Sequence, residues 1–196
     1  MAASDRRRQI LDVALSAFSR SGYHATSMND IAEALHLTKP VVYQHFDSKR
    51  ALYLELLRDV GDDLLAHVTK AAAGTGDPRE QVELGMTAYF TWVHENTEAF
   101  RLLFESSPRV DDEFADIIDE FETGAANAIS PFIAVDAPGD QVFTIAMGLV
   151  GLAETVSRHA IRDSGDFDPR HLARTVASFA WAGLRAAGQS RSTQPR

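Results

Sequence analysis

Apolar residues recur along this chain at the three- and four-residue intervals of a helix, with no convincing strand-like alternation. Ile10, Leu11, Ala14, Leu15 and Phe18 make the first stripe and predict a helix over about 5–19. Ser21-Gly22 breaks it, with glycine suited to the left-handed residue after a helix end. Ile31, Ala32 and Leu35 mark the buried side of a short second helix, about 27–35. Thr26 or Ser27 caps it, and Asp30 sits three residues after Ser27, close to a capping box. After a tight joint at His36-Leu37, Thr38 caps a third helix, Lys39 to about His45. Pro40 lies in its first turn, where a missing N–H costs nothing. Asp47 or Ser48 opens a fourth, running through Leu52, Leu56, Leu57, Val60, Leu64 and Leu65 to about Ala72.

Beyond the turn from Ala73 to Pro78, the same periodicity predicts helices over about 78–95 and from Asn96 or Thr97 to about 105. Ser106-Ser107-Pro108 breaks the chain. A helix from about 110 to 131 carries Phe114, Ile117, Ile118 and Phe121, and two longer ones follow, about 141–161 and 168–188. The prediction is an all-α chain of nine helices. Residues 1–50 form a three-helix head, residues 51–188 a six-helix body, and the polar residues 189–196 a disordered tail.

Composition narrows the functions open to such a chain. No cysteine is present among the 196 residues, which excludes disulfides, thiolate metal sites and a cysteine nucleophile, and fits a reducing cytoplasm. No apolar run reaches the ~18 residues that a membrane span needs. Neither a phosphate-cradling glycine loop nor a His-Glu-x-x-His or Gly-x-Ser-x-Gly motif occurs. Glu33 and His36 have Glu-x-x-His spacing, but a di-iron bundle needs a second copy and none exists. No catalytic residue, metal or cofactor is expected. The net charge of -9 is unevenly spread. Residues 1–50 hold seven Lys/Arg against five Asp/Glu, a charge of +2, whereas the rest holds twelve against twenty-three, or -11. Only the head is fit to meet a polyanion.

The third helix shows how. Val42 and Phe46 point inward, four residues apart, leaving Lys39, Val41, Tyr43, Gln44 and His45 to face outward or sideways. An ammonium, a phenol, an amide and an imidazole within seven residues suit phosphates and base edges. With the tight joint before it, this is a helix-turn-helix. The stretch closely resembles the DNA-binding domain of the tetracycline-repressor (TetR) family. The resemblance rests on Gly22-Tyr23, Thr26-Ser27, Ile31-Ala32 and the run Thr38-Lys39-Pro40-x-x-Tyr43-x-His45-Phe46-x-Ser48-Lys49-x-x-Leu52. One departure is His36 in the joint, where the family usually has glycine; mild strain is expected there. The resemblance implies a cytoplasmic, bacterial transcription regulator that binds double-stranded operator DNA. Tyr43, Lys49, Thr26, Ser27, Thr38 and His45 would hold phosphates. Lys39, Val41 and Gln44, with Pro40 beside them, and Asn29 would face bases. Arg6, Arg7 and Arg8 would lie along the DNA backbone or simply be a solvated terminus.

For the body, the resemblance implies homodimerisation through the last two helices, which carry the stripes Val142, Ile145, Leu149, Leu152, Val156 and Leu172, Val176, Phe179, Ala180, Leu184. Gly148, Gly151 and Gly183 lie mid-helix at a cost of about 1 kcal/mol each against alanine, and close helix approach is a reason to keep them. It also implies a small-molecule effector in the middle helices. Tyr89, Phe90, Trp92, Val93, Phe100, Phe104 and Phe121 are the candidate apolar lining, with Asn127, Glu154, His94 and His159 as polar contacts. An apolar or amphipathic effector follows from that balance. The effector would shift the fourth helix and release a palindromic operator, making the protein a repressor. The alternative is a helical protein-binding adaptor without DNA binding.

Overall fold

The computed structural model of the chain describes residues 3–105, 112–163 and 166–189. Among them are nine helices and no strand: α1 (Ala3–Ala25), α2 (Met28–Ala34), α3 (Lys39–Tyr43), α4 (Lys49–Ala72), α5 (Pro78–Glu95), α6 (Thr97–Phe104), α7 (Asp112–Ile129), α8 (Gly139–Asp163) and α9 (Pro169–Gln189). A 3-10 turn, Ser130–Phe132, follows α7. The predicted break at 106–108 and residues 190–196 of the predicted tail lie outside the described residues, while Gln189, the first residue of that tail, ends α9. No described helix is long and apolar enough to cross a membrane.

The Ser21-Gly22 break is a kink rather than an end. The helical pattern resumes past Gly22, whose φ of 78° and ψ of 167° fall in a region essentially closed to other residues. That bend lets the Thr26 hydroxyl reach back to the carbonyl of Gly22 at 2.9 Å.

Contacts divide the chain into two compact units that do not follow sequence order: residues up to 62 with 96–118, and residues 63–95 with those from 119 on. In the first, α1 packs on α2 and α6. Its centre is a cluster of rings. Tyr23 lies 4.9 Å from Tyr53 and 4.7 Å from Phe114, and Phe18 lies 4.9 Å from Tyr53, near edge-on as aromatic quadrupoles prefer. In the second unit α5 lies along α9 and touches α8. One apolar cluster there is built on Ala126, Ile133, Ala146 and Leu184, another on Phe90, Ala173 and Val176.

Candidate nucleic-acid interface

The short helices α2 and α3 are held by local chemistry. Ser27 caps α2 in a complete capping box: the Asp30 N–H donates to Ser27 Oγ at 3.2 Å, and the Ser27 N–H donates to Asp30 Oδ2 at 2.8 Å. The Ser27 N–H, and then the Ser27 hydroxyl, favour the ionised carboxylate and hold Asp30 below the usual carboxylate range. At the far end of α2, the Leu37 N–H donates to Ala32 O at 2.8 Å and the His36 N–H to Glu33 O at 3.0 Å. That pair of bonds is a Schellman motif, which needs a left-handed residue at its penultimate position. His36 supplies it with φ of 54°, the one positive-φ non-glycine among the described residues, as the sequence led us to expect.

α3 is then fixed from below by Val42, with no exposed surface, and by Phe46 just after it. Thr38, Lys39, Pro40, Tyr43 and Gln44 are exposed, and Val41 and His45 half-buried, so the predicted division of faces holds. Thr38 occupies the N-cap position of α3, but its hydroxyl makes no capping bond among the described residues, which leaves it turned to solvent. The Lys39 ammonium sits 5.8 Å from the Tyr43 ring. Asn29 is exposed on α2, its amide donating to Glu33 Oε1 at 2.6 Å. Ser27 is exposed beside it.

Two residues assigned to phosphate have other work. Thr26 is buried, with its hydroxyl directed to the Gly22 and Ala17 carbonyls, because the kink places position 26 against α1. Lys49 donates from Nζ to Tyr23 O at 2.8 Å and Thr26 O at 3.0 Å, and lies 4.2 Å above the Tyr23 ring. It ties the start of α4 to the orphan carbonyls where α1 gives way to α2. Lys49→Met is therefore expected to lower stability by about 2 kcal/mol, read as a denaturant midpoint, through loss of charge-assisted bonds that the thioether cannot make. An unchanged midpoint would mean that these carbonyls are as well served by water.

What the sequence did not show is the anchoring role of Arg7. Its Nη1 donates to the His45 carbonyl at 2.7 Å, its Nη2 pairs with Glu55 on α4, and its guanidinium lies 4.2 Å above Phe46. It fastens the end of α3 to α1 and α4. No local spacing marks a pairing 48 residues apart. Of its neighbours in the basic run, Arg6 bonds Gln9 and Arg8 is exposed.

The residues proposed for a small molecule fall in both units. In the first, Phe100 and Phe104 are buried, their ring centres 4.8 Å apart and tilted to each other. In the second, Phe90, Trp92 and Val93 are buried on α5, with Trp92 Nε1 donating to Asp63 Oδ2 at 2.6 Å. Tyr89 is half-buried beside them, and Glu154 is buried on α8, paired with Arg158. Phe121 is half-buried. Asn127 is exposed, because Ala125 and Ala126 take the inward positions of α7. His94 and His159 are exposed too, His94 against the Phe167 ring.

Comparison with known proteins agrees with this geometry. Residues 10–56 match the family model described as bacterial regulatory proteins, tetR family, and residues 78–183 match one described as a tetracyclin repressor-like C-terminal domain. The HTH-type transcriptional activator FasR of Mycolicibacterium smegmatis is 30% identical over 190 residues, 96% of this chain and 87% of that protein. The HTH-type transcriptional repressor KstR2 of Rhodococcus jostii is 36% identical over 87 residues, 44% of this chain and 43% of its own. A crystal structure of a TetR-like transcriptional regulator from Rhodococcus sp. RHA1 superposes with a TM-score of 0.78 at 24% identity, covering 94% of this chain and 98% of the other.

Proposed function

Since the chain belongs to the tetR family of bacterial regulatory proteins, we propose that it is a ligand-responsive transcription regulator that binds a palindromic operator as a homodimer. Residues 1–50 are the reading head and residues 51–188 the effector and dimerisation body. The observation that carries this is the outer row of α3, where Thr38, Lys39, Tyr43 and Gln44 are exposed on a helix locked from beneath. Thr38, Tyr43, His45 and Ser27 are phosphate contacts in this reading. Lys39 reaches guanine, Gln44 pairs with adenine, and Val41 meets a thymine methyl, with Pro40 and Asn29 alongside.

The dimer reading is supported by α8 and α9. Phe179 is 71% exposed, the largest exposure of any big apolar residue described. It borders a groove of about 450 Å3 lined by Ile145, Gly148, Leu149, Leu152, Gly183 and Leu184, among others. A Cβ at Gly148, Gly151 or Gly183 would meet no described atom within 4 Å, so nothing among the described residues explains these glycines. A second copy packing closely does, and twofold symmetry then sets two α3 helices about 34–36 Å apart, one turn of duplex.

An apolar or amphipathic effector acts by preferring the state that does not bind operator. Repression follows if the operator overlaps a promoter. Activation is the second reading, favoured by the match along almost the whole chain to a protein named an activator. In vitro transcription from the bound promoter decides between them.

Selection of bound sites from random duplexes, repeated with two variants, tests the whole. Gln44→Ala is expected to relax preference at one position per half-site by about 1–3 kcal/mol. Tyr43→Phe is expected to weaken all sites alike, without changing the consensus. A wild-type chain that enriches no duplex removes the proposal, and an unchanged Gln44→Ala consensus removes that residue from the readout.

A further inference from the structure

The second unit holds a polar patch that its own fold leaves incomplete. Tyr89 on α5 faces Ser157 and Arg158 on α8: the Ser157 hydroxyl and the Arg158 charge both act on the Tyr89 hydroxyl, against a burial that pushes its pKa upward. Ser157 has no exposed surface. Tyr89 Oη, Ser157 Oγ and Arg158 Nε are all buried; the two hydroxyls lie close enough to interact, but none of the three atoms makes a well-formed hydrogen bond among the described residues. Glu154, buried one turn earlier on α8, takes the other end of the guanidinium, so the charge of Arg158 is already matched. Met86, Leu152 and Val156 pack with Tyr89 against Phe90 and make the surroundings apolar.

Buried polar atoms in folded proteins nearly always find partners, and three together without one call for a reason. The Arg158 Nε–H can only donate, whereas each hydroxyl can donate or accept, so even when the hydroxyls accept from their neighbours at least one proton is left to give. The group that completes them is therefore an acceptor. A carboxylate is disfavoured, because it would set a second negative charge near Glu154, which already pairs with Arg158. The geometry points to a ligand subsite at Tyr89, Ser157 and Arg158 that receives the neutral carbonyl oxygen of an otherwise apolar effector, such as a ketone, ester, thioester or amide. This rests on the effector reading above and gives that effector a chemical class.

The test uses the full chain and pairs of probes alike in shape but differing by a carbonyl: 2-undecanone with undecane, camphor with bornane, and acetophenone with ethylbenzene, plus decanoate for charge. Binding is followed by calorimetry. At least one ketone is expected to bind tenfold or more tightly than its hydrocarbon and than decanoate. That advantage is expected to shrink about tenfold in Tyr89→Phe and in Ser157→Ala, both close to isosteric, while hydrocarbon binding stays unchanged. Equal binding of ketone and hydrocarbon, no binding of any probe, tighter binding of decanoate, or full retention of the preference in both variants would each overturn the subsite. So would variants that shift thermal stability alone, the mark of donors served by buried water. Failure of the underlying reading looks different: the wild-type chain on its selected duplex would then be released by nothing in an organic extract of cells.

Discussion

Replacing Phe179 with aspartate is expected to split the proposed dimer into monomers and to cut affinity for a two-half-site duplex by about 10²–10⁴-fold. Sedimentation and a duplex titration read the two effects on one sample. The size follows from linkage: once one α3 is seated, the second binds at high effective concentration, and a monomer forfeits that. The direction follows from position. Phe179 is largely exposed, so its loss removes little from the chain's own packing. Between two copies an aspartate would be buried without a partner and would disfavour the pair. Unchanged far-ultraviolet circular dichroism is expected alongside. A Phe179→Asp chain that sediments as wild type and binds as tightly would place the dimer contact elsewhere.

The second large effect is on stability. Gly22→Val is expected to cost about 3 kcal/mol, since a β-branched side chain cannot adopt φ of 78° with ψ of 167° without strain. At fixed protein concentration this appears as a urea midpoint lowered by about 1 M or more. The kink is also where Thr26 bonds back to the Gly22 carbonyl and where Lys49 reaches the Tyr23 carbonyl. Relaxing the backbone would pull on both. A variant with the wild-type midpoint would show that the segment has another low-energy path.

Helix existence and the inner face of the reading head were legible in the sequence because they depend on neighbours in the chain. The Ser27–Asp30 box, the left-handed His36 and the burial of Val42 and Phe46 all follow from spacings of a few residues. What was not legible depends on side chains that travel. Arg7 and Lys49 looked like ligands for an external anion, and their position near a basic terminus or a helix start gave no sign of carbonyls waiting 38, 26 and 23 residues away. Thr26 read as a cap and a phosphate contact, and only the kink at Gly22 turns its hydroxyl inward. The body was the least legible. Aromatic stripes mark burial but not company, so Phe100 and Phe104 could not be told from Phe90 and Trp92 until contacts put them in different units. Asn127 offers only its side-chain chemistry as a signal, and the phase of α7 turns it outward.

The anchoring of Arg7 and Lys49 bears on how ions would leave the duplex. Seven Lys/Arg in residues 1–50 invite an estimate of seven neutralised phosphates per subunit, yet Arg7 already faces Glu55 and Lys49 already faces two carbonyls. Each phosphate contact withdrawn from the count lowers the dependence of log affinity on log salt by about 0.9. A dimer reading DNA with this head would hold its site across a wider range of ionic strength than its basic residues promise.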